Sequence, residues 1–214
     1  MFNAKMAVLA TAVLGLSFQL MAAETTDTYQ ATYFYNLGTG PWDASVSILD
    51  PGVNAPASIC ANIYVLNPSE ELEACCSVPL TPDEVIQGQL SSLVANLLNN
   101  NGLVNGVVKI ISSSAGAGAG ACPSGSATIT PIADLRAWIT RVDSVVPFNT
   151  HSGNSIRSGD GMGVTTTAFA TAPLSTAEEA TLVNTCHFIY LYGSGFGQCP
   201  GPVEPISGST PPNP

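Results

Sequence analysis

The sequence predicts a mainly β protein: an antiparallel β-sandwich with one or two short packed helices, stabilised by disulfides. Three observations lead there. Short segments of period-two alternation recur, clusters of Gly, Pro, Asn and Asp separate them, and all six cysteines follow an N-terminal leader. Alternation at period two marks a half-buried strand, and recurrent turn signals mark a sheet protein. An even cysteine count behind a leader points to bridges formed in an oxidising compartment.

The leader spans residues 1–23. Met1 to Lys5 carries a positive charge, Met6 to Leu16 is apolar, and Met21-Ala22-Ala23 offers small residues for cleavage. A spanning helix needs about 20 apolar residues, and Ser17 and Gln19 interrupt this run. A cleaved signal peptide is therefore expected. No cysteine precedes Cys60, so none stands at the cleavage site to take lipid, and the last residues form no apolar tail. The expected product is secreted and extracellular or periplasmic, with no membrane anchor. About 191 residues remain after cleavage, read as one β-rich domain over 24–200 and a proline-rich flexible tail over 201–214.

Thr28 to Tyr35 is rich in aromatic and β-branched residues and reads as a strand, closed by turn residues between Asn36 and Pro41. Ala44 to Leu49 alternates Val46 and Ile48 against Ser45 and Ser47, and Ile59 to Leu66 alternates Ile59, Ala61, Ile63 and Val65 against Cys60, Asn62 and Tyr64. Both read as strands. Ser69 ahead of Glu70 and Glu71 has the form of an N-cap with dipole-matched acids. That pattern predicts a short helical turn carrying Cys75 and Cys76. Pro82 in Thr81-Pro82-Asp83-Glu84 opens a second candidate helix, and Leu90, Leu93, Val94, Leu97 and Leu98 follow helical spacing. Gly88 and Asn99-Asn100-Asn101-Gly102 frame the same run like a hairpin arm, so helix and strand both stay open there.

Val107 to Ile111 reads as a strand opened by the hairpin dipeptide Asn105-Gly106. Ala115 to Ala121 alternates Ala and Gly and reads as a flexible low-complexity loop. Ala127 to Ile129 and Leu135 to Val142 read as strands, the second placing Leu135, Ala137 and Ile139 opposite Arg136, Trp138 and Thr140. Pro147 to Gly163 is polar and glycine-rich, a long loop, and Val164 to Ala170 resumes a strand pattern. Ser175-Thr176-Ala177-Glu178 is a capping box. Ala180, Val183, Cys186, His187 and Tyr190 then recur at helical spacing up to Gly193, which predicts the strongest helix of the chain. Cys186 falls on its buried face, where a bridge would pin the helix to the sheet.

The run Ile59-Cys60-Ala61-Asn62-Ile63-Tyr64-Val65, followed by Glu73-Ala74-Cys75-Cys76-Ser77-Val78-Pro79-Leu80-Thr81-Pro82, resembles a pattern in an uncharacterised family of exported acidobacterial proteins. Gly106-Val107-Val108-Lys109-Ile110, Leu135-Arg136-Ala137-Trp138 and Cys186-His187-Phe188-Ile189, leading into Gly193-Ser194-Gly195, resemble it too. The likeness spans most of the chain after the leader. It implies export and a disulfide-bearing domain, and no chemistry. The family commonly carries a further cysteine two residues after the pair, where this chain has Val78, so its pairing does not carry over.

Charge restricts the partners. After residue 23, Lys109, Arg136, Arg141 and Arg157 face fifteen acids, a net charge of −11. Nucleic acid is excluded, because phosphate neutralisation needs clustered Lys and Arg, and an anionic membrane surface is disfavoured for the same reason. The chemical candidates are few. Cys75 and Cys76 either form a vicinal bridge or each reach a different cysteine among Cys60, Cys122, Cys186 and Cys199. Cys75, Cys76, Cys186 and His187 offer zinc ligand types without the usual spacing. His151 with Asp160, and Asp134 with Asp143, offer acid–base types, while Gly193-Ser194-Gly195 is a near miss for a nucleophile elbow that reads better as a helix C-terminal turn. No catalytic, cofactor-binding or metal constellation is expected.

The expected function is that of a secreted structural or interaction protein, a self-assembling filament or matrix subunit. Self-association or an extracellular protein or glycan partner follows, with Tyr29, Tyr33, Tyr35 and Trp138 as interaction residues. On assembly, Tyr29 to Tyr35 or the arm before it would be the donated strand. The alternatives are a carbohydrate- or ligand-binding module, using Trp42, Trp138, Tyr190 and Tyr192 on one face, and a secreted hydrolase.

Overall fold

The computed structural model describes residues 28–35, 37, 43–53, 58–99, 103–116, 122–146, 161–200 and 204–205. Residues 1–23, read as a leader from the sequence, most of the Ala/Gly tract, residues 147–160 and most of the expected tail lie outside them, while residues 161–163 of the expected long loop belong to a strand. Ten strands are described: β1 (Tyr29–Phe34), β2 (Ala44–Leu49), β3 (Ile59–Leu66), β4 (Leu72–Leu80), β5 (Val85–Gln89), β6 (Gly106–Ser114), β7 (Arg136–Val146), β8 (Gly161–Ala168), β9 (Ala170–Thr171) and β10 (Glu204–Pro205). Two helices join them, α1 (Leu90–Leu93) and α2 (Thr176–Tyr192). The strands form two antiparallel sheets, ordered β4-β3-β6-β1-β9 and β10-β5-β2-β7-β8, packed together as the predicted sandwich.

Period-two alternation puts Ile59, Ala61, Ile63 and Val65 of β3, Val108 and Ile110 of β6, and Ala74, Cys76, Val78 and Leu80 of β4 on the inner face of the first sheet. Val46 and Ile48 of β2, Ile86 of β5, and Ala137 and Ile139 of β7 meet them from the second. Phe34, Phe169, Leu90 and Leu93 complete this core. Gln30 crosses it: its side-chain amide donates to the Leu135 carbonyl, and its carbonyl oxygen accepts from the Ala137 amide at 3.0 Å. A buried polar side chain is tolerated there because both ends are bonded.

A second apolar cluster lies on the outer face of the first sheet. Tyr29, Tyr64, Leu66, Leu72, Cys75 and Ile111 of the sheet pack against Leu182, Cys186 and Ile189 of α2. Every residue of β3 is consequently buried, whereas β2 in the other sheet alternates buried and half-buried. We call the two the covered sheet and the open sheet. Helix α2 begins as its capping box dictates, the Ser175 hydroxyl accepting from the Glu178 amide at 3.1 Å.

Three sequence expectations are corrected. Cys75 and Cys76 stand on β4, not on a helical turn. The Asn67 side chain accepts from the amides of Ser69 at 2.9 Å and Glu71 at 3.0 Å, and Glu70 takes φ 65°, so the segment reverses as a hairpin turn and β4 pairs with β3 along its length. Thr81-Pro82-Asp83-Glu84 is likewise a turn leading into β5: the Thr81 carbonyl accepts from the Glu84 amide at 3.0 Å, and Asp83 has φ 65°, as a Pro-led type II turn requires. The open choice over Leu90 to Leu98 goes to helix for one turn only, α1, with β5 ending just ahead of it. Ala127 to Ile129 is not a strand; the nearest pairing is an isolated bridge of Pro131 to Ser113.

Candidate functional site

Three disulfides radiate from neighbouring strands β3 and β4. Cys60 bonds Cys122, Cys75 bonds Cys186 and Cys76 bonds Cys199. Successive side chains of a strand point to opposite faces, so Cys75 lies in the cluster beneath α2 while Cys76 lies in the inter-sheet core. Adjacent cysteines on an extended strand thus serve two layers, and the vicinal bridge is excluded. The zinc reading falls with it, since three of its four ligands are spent in bridges. Among the described residues no group of three or more His, Cys, Asp or Glu is placed to hold a metal ion.

Each bridge fastens a covering segment. Cys122 ties down the loop that follows the Ala/Gly tract, where Ser124 bonds both the amide and carbonyl of Ser77. Gly125 has φ +67°, and a Cβ there would stand 2.3 Å from the Tyr190 ring, so only glycine lets this loop meet α2. The Gly125 carbonyl lies 2.7 Å from His187 Nδ1; a carbonyl can only accept, so Nδ1 carries the proton. His187 is thus the satisfied boundary histidine that its place in the helical pattern suggests. Cys199 holds the segment after α2 along the outer edge of β4, where the Cys75 amide donates to the Gly197 carbonyl at 2.9 Å.

The N-terminal turn of α2 is fixed electrostatically. Glu178 accepts from Lys109 Nζ at 2.5 Å and from the Tyr29 hydroxyl at 3.3 Å. Burial, followed by the charge and hydrogen bond of Glu178, pushes the Tyr29 hydroxyl well above the ordinary tyrosine range. Burial and Glu179 do the same for Tyr64. Both phenols stay protonated.

Two clefts flank this layer. One, of about 180 Å³, lies between Cys60, Asn62, Ser113, Cys122 and Thr128. Its buried Asn62 already bonds the Ile111 carbonyl, Ser113 and Ser77. The other, of about 320 Å³, lies beside Asn67, Glu73 and Asn99, where Glu73 accepts from both asparagines.

The interaction residues expected from sequence are dispersed. Tyr29 is buried under α2. Tyr33 and Tyr35 are exposed and stack at 6.2 Å, with the Arg141 guanidinium 4.8 Å from the Tyr35 ring. Trp138 is half-buried on the outer face of the open sheet, beside Ser47 and Ala168 in register. Tyr190 and Tyr192 lie on α2, across the sandwich from Trp138, and Trp42 is outside the described residues, so these rings form no single platform. His151 and Asp160 are outside the described residues; Asp134 is buried, and Asp143 lies within β7. Gly193-Ser194-Gly195 is the turn after α2, with the Gly193 amide donating to the Ile189 carbonyl at 2.7 Å.

Sequence reasoning missed two surfaces. One is the exposed side of α2, formed by Phe188, Leu191 and Tyr192 with Phe196 just beyond it. Its signal was present, for residues 182–192 hold more apolar side chains than one helical stripe accommodates. The other is β8, the last strand of the open sheet. Among the described residues no helix is long and apolar enough to cross a membrane. Comparison with known proteins finds no family model, no curated protein and no solved structure that matches this chain.

Proposed function

We propose that the chain is an exported extracellular structural protein whose copies associate edge to edge along β8, and that it belongs with the exported acidobacterial proteins its motifs resemble. The observation that carries the self-association is β8 itself. It is the terminal strand of the open sheet, and its sequence, Gly-Met-Gly-Val-Thr-Thr-Thr-Ala, contains no charge and no proline. Edge strands are ordinarily guarded by lysine, proline or a bulge. The bulge in the β7/β8 pairing falls between Val142 and Ser144, leaving Val164 to Ala168 in regular register and mostly exposed. The donor expected from sequence, β1, is engaged in its own chain between β6 and β9, which moves the proposed contact to β8. Three disulfides fit the oxidising compartment that export would supply.

The test is sedimentation and negative-stain microscopy of the oxidised chain after leader removal. Wild type is expected to form oligomers, and Thr165→Lys with Thr167→Lys, two exposed edge positions, is expected to abolish them with the fold retained. A wild type that stays monomeric at high concentration overturns the proposal.

A second reading, a glycan-binding module, is favoured by one feature: Trp138 among hydroxyl and amide side chains on the open face, with Ser47 and Thr140 near it and Gln87 across β2. Glycan-array binding lost on Trp138→Ala would favour it over assembly. Unchanged binding in that variant would remove it.

A further inference from the structure

Helix α2 has two apolar faces, and among the described residues its own chain covers one. Leu182, Val183, Cys186 and Ile189 face the covered sheet. On the opposite side Phe188 is 61% exposed, Leu191 58% and Tyr192 67%, and Phe196 in the following turn is 55% exposed. The i, i+4 pair Phe188 and Tyr192 already meets ring to ring at 4.8 Å, the planes tilted by 48°. From Ala180 to Val203 the chain has no charged residue, although its formal net charge is −10.

Four large side chains exposed to this degree present about 480 Å² of largely apolar surface, taking roughly 200 Å² for each whole side chain. That lies in the range of about 300–600 Å² at which a monomer's largest patch is often functional. Two such patches face to face would remove about 960 Å² before their rims are counted. With the rims the contact approaches the roughly 1,000 Å² that a specific interface needs.

We propose that this face of α2 is an isologous interface with α2 of a second copy. Charge selects that occupant. A basic partner would be steered to the acidic surface elsewhere, while a second copy, equally acidic, is repelled everywhere except at a neutral patch. A two-fold interface sets the same patch against itself, so both sides are equally apolar, and the area approaches the needed value on that condition. The contact stands apart from β8, which lies in the other sheet. Edge association with two-fold pairing would link rows of subunits in pairs.

The experiment is sedimentation equilibrium of the oxidised chain after leader removal, in the Thr165→Lys/Thr167→Lys background that silences the edge. A dimer is expected there, and higher salt is expected to tighten it, because screening weakens the repulsion between two acidic copies. Phe188→Glu with Leu191→Glu is expected to weaken dimerisation about 100-fold or more, since each side chain is lost on both sides of the interface. Should that variant fail to fold, Tyr192→Ser with Phe196→Ser is read instead. A monomeric background protein, a dimer indifferent to both variants, or recovery of the patch on phosphatidylcholine vesicles in place of a dimer would each overturn the proposal. A failure of β8 association leaves the α2 dimer intact and is thereby told apart.

Discussion

The covered sheet and the open sheet share one core and differ in what lies outside it. The covered sheet carries α2 and the 122–126 loop on its outer face, and all three disulfides start from its strands β3 and β4. The open sheet presents Ser45, Ser47, Gln87, Trp138 and Thr140 outward and ends in the uncharged β8. A sheet buried on both faces needs apolar or bonded residues at every position, as β3 has, while a sheet wet on one face needs them at alternate positions only. The difference teaches that covalent reinforcement gathers where segments distant in sequence must be held as a layer. Among the described residues the open sheet has no such layer outside it, and its end strand β8 is where the proposed association falls.

The largest effect should come from detaching the cover. Cys75→Ala with Cys186→Ala removes the bridge under α2. Because Cys76–Cys199 still ties the neighbouring residues, the loop it closes is about 15 residues, for which loop-closure entropy gives about 3 kcal/mol, and the lost packing of two buried cysteines adds to that. Guanidinium unfolding should show that loss, with hydrogen exchange in α2 rising more than in β2. Equal exchange in both would break the contrast between the sheets.

A pair of substitutions sharpens the contrast at the level of single side chains. Ile63→Ala in β3, fully buried, should cost about 3 kcal/mol through lost transfer energy and the cavity left behind. Ser47→Ala on the outer face of the open sheet should stay within about 0.5 kcal/mol. Urea midpoints measure both, and comparable costs would show that the open face is covered in solution.

The smallest effect is one of pH, at the end of the open sheet. Asp50 is buried; its Oδ1 accepts from the Gly52 amide at 2.8 Å, and its Oδ2 has no hydrogen-bond partner among the described residues. Burial raises its pKa, the Gly52 amide opposes this, and the charges of Asp134, Asp83 and Glu84 add to the rise. A carboxyl with a raised folded pKa holds its proton more tightly folded than unfolded. Its contribution is therefore fully present below the ordinary value of 3.8 and is lost as pH rises through the folded value. Asp50→Asn, which mimics the neutral acid, should match wild type at about pH 3.5 and exceed it in urea midpoint at about pH 7. A gap that is constant across pH would assign Asp50 no such role.

Much of the sandwich was legible because its signals are local. The alternation of Val46 and Ile48 with Ser45 and Ser47 needs no partner to be read, nor does the capping box at Ser175. The helix expected at Cys75 failed because Ser69-Glu70-Glu71 satisfies a capping pattern in isolation. In the folded chain Asn67 bonds those amides instead, and β3 offers a full ladder of hydrogen bonds that a lone helical turn cannot match. The surfaces now proposed for association were illegible for a related reason. Exposure of Phe188 depends on which side of α2 meets the sheet, and the edge position of β8 depends on strand order.

By itself, then, the sequence determined the β-rich class, the place of most strands, helix α2 and the means for three bridges, since periodicity, capping and residue counts act within a few neighbouring residues. Only the tertiary structure decided which cysteines meet, that Cys75 and Cys76 serve opposite faces, that one sheet is covered and the other open, and which apolar residues remain outside. Those outcomes follow from contacts between segments as much as 149 residues apart, which no local pattern encodes.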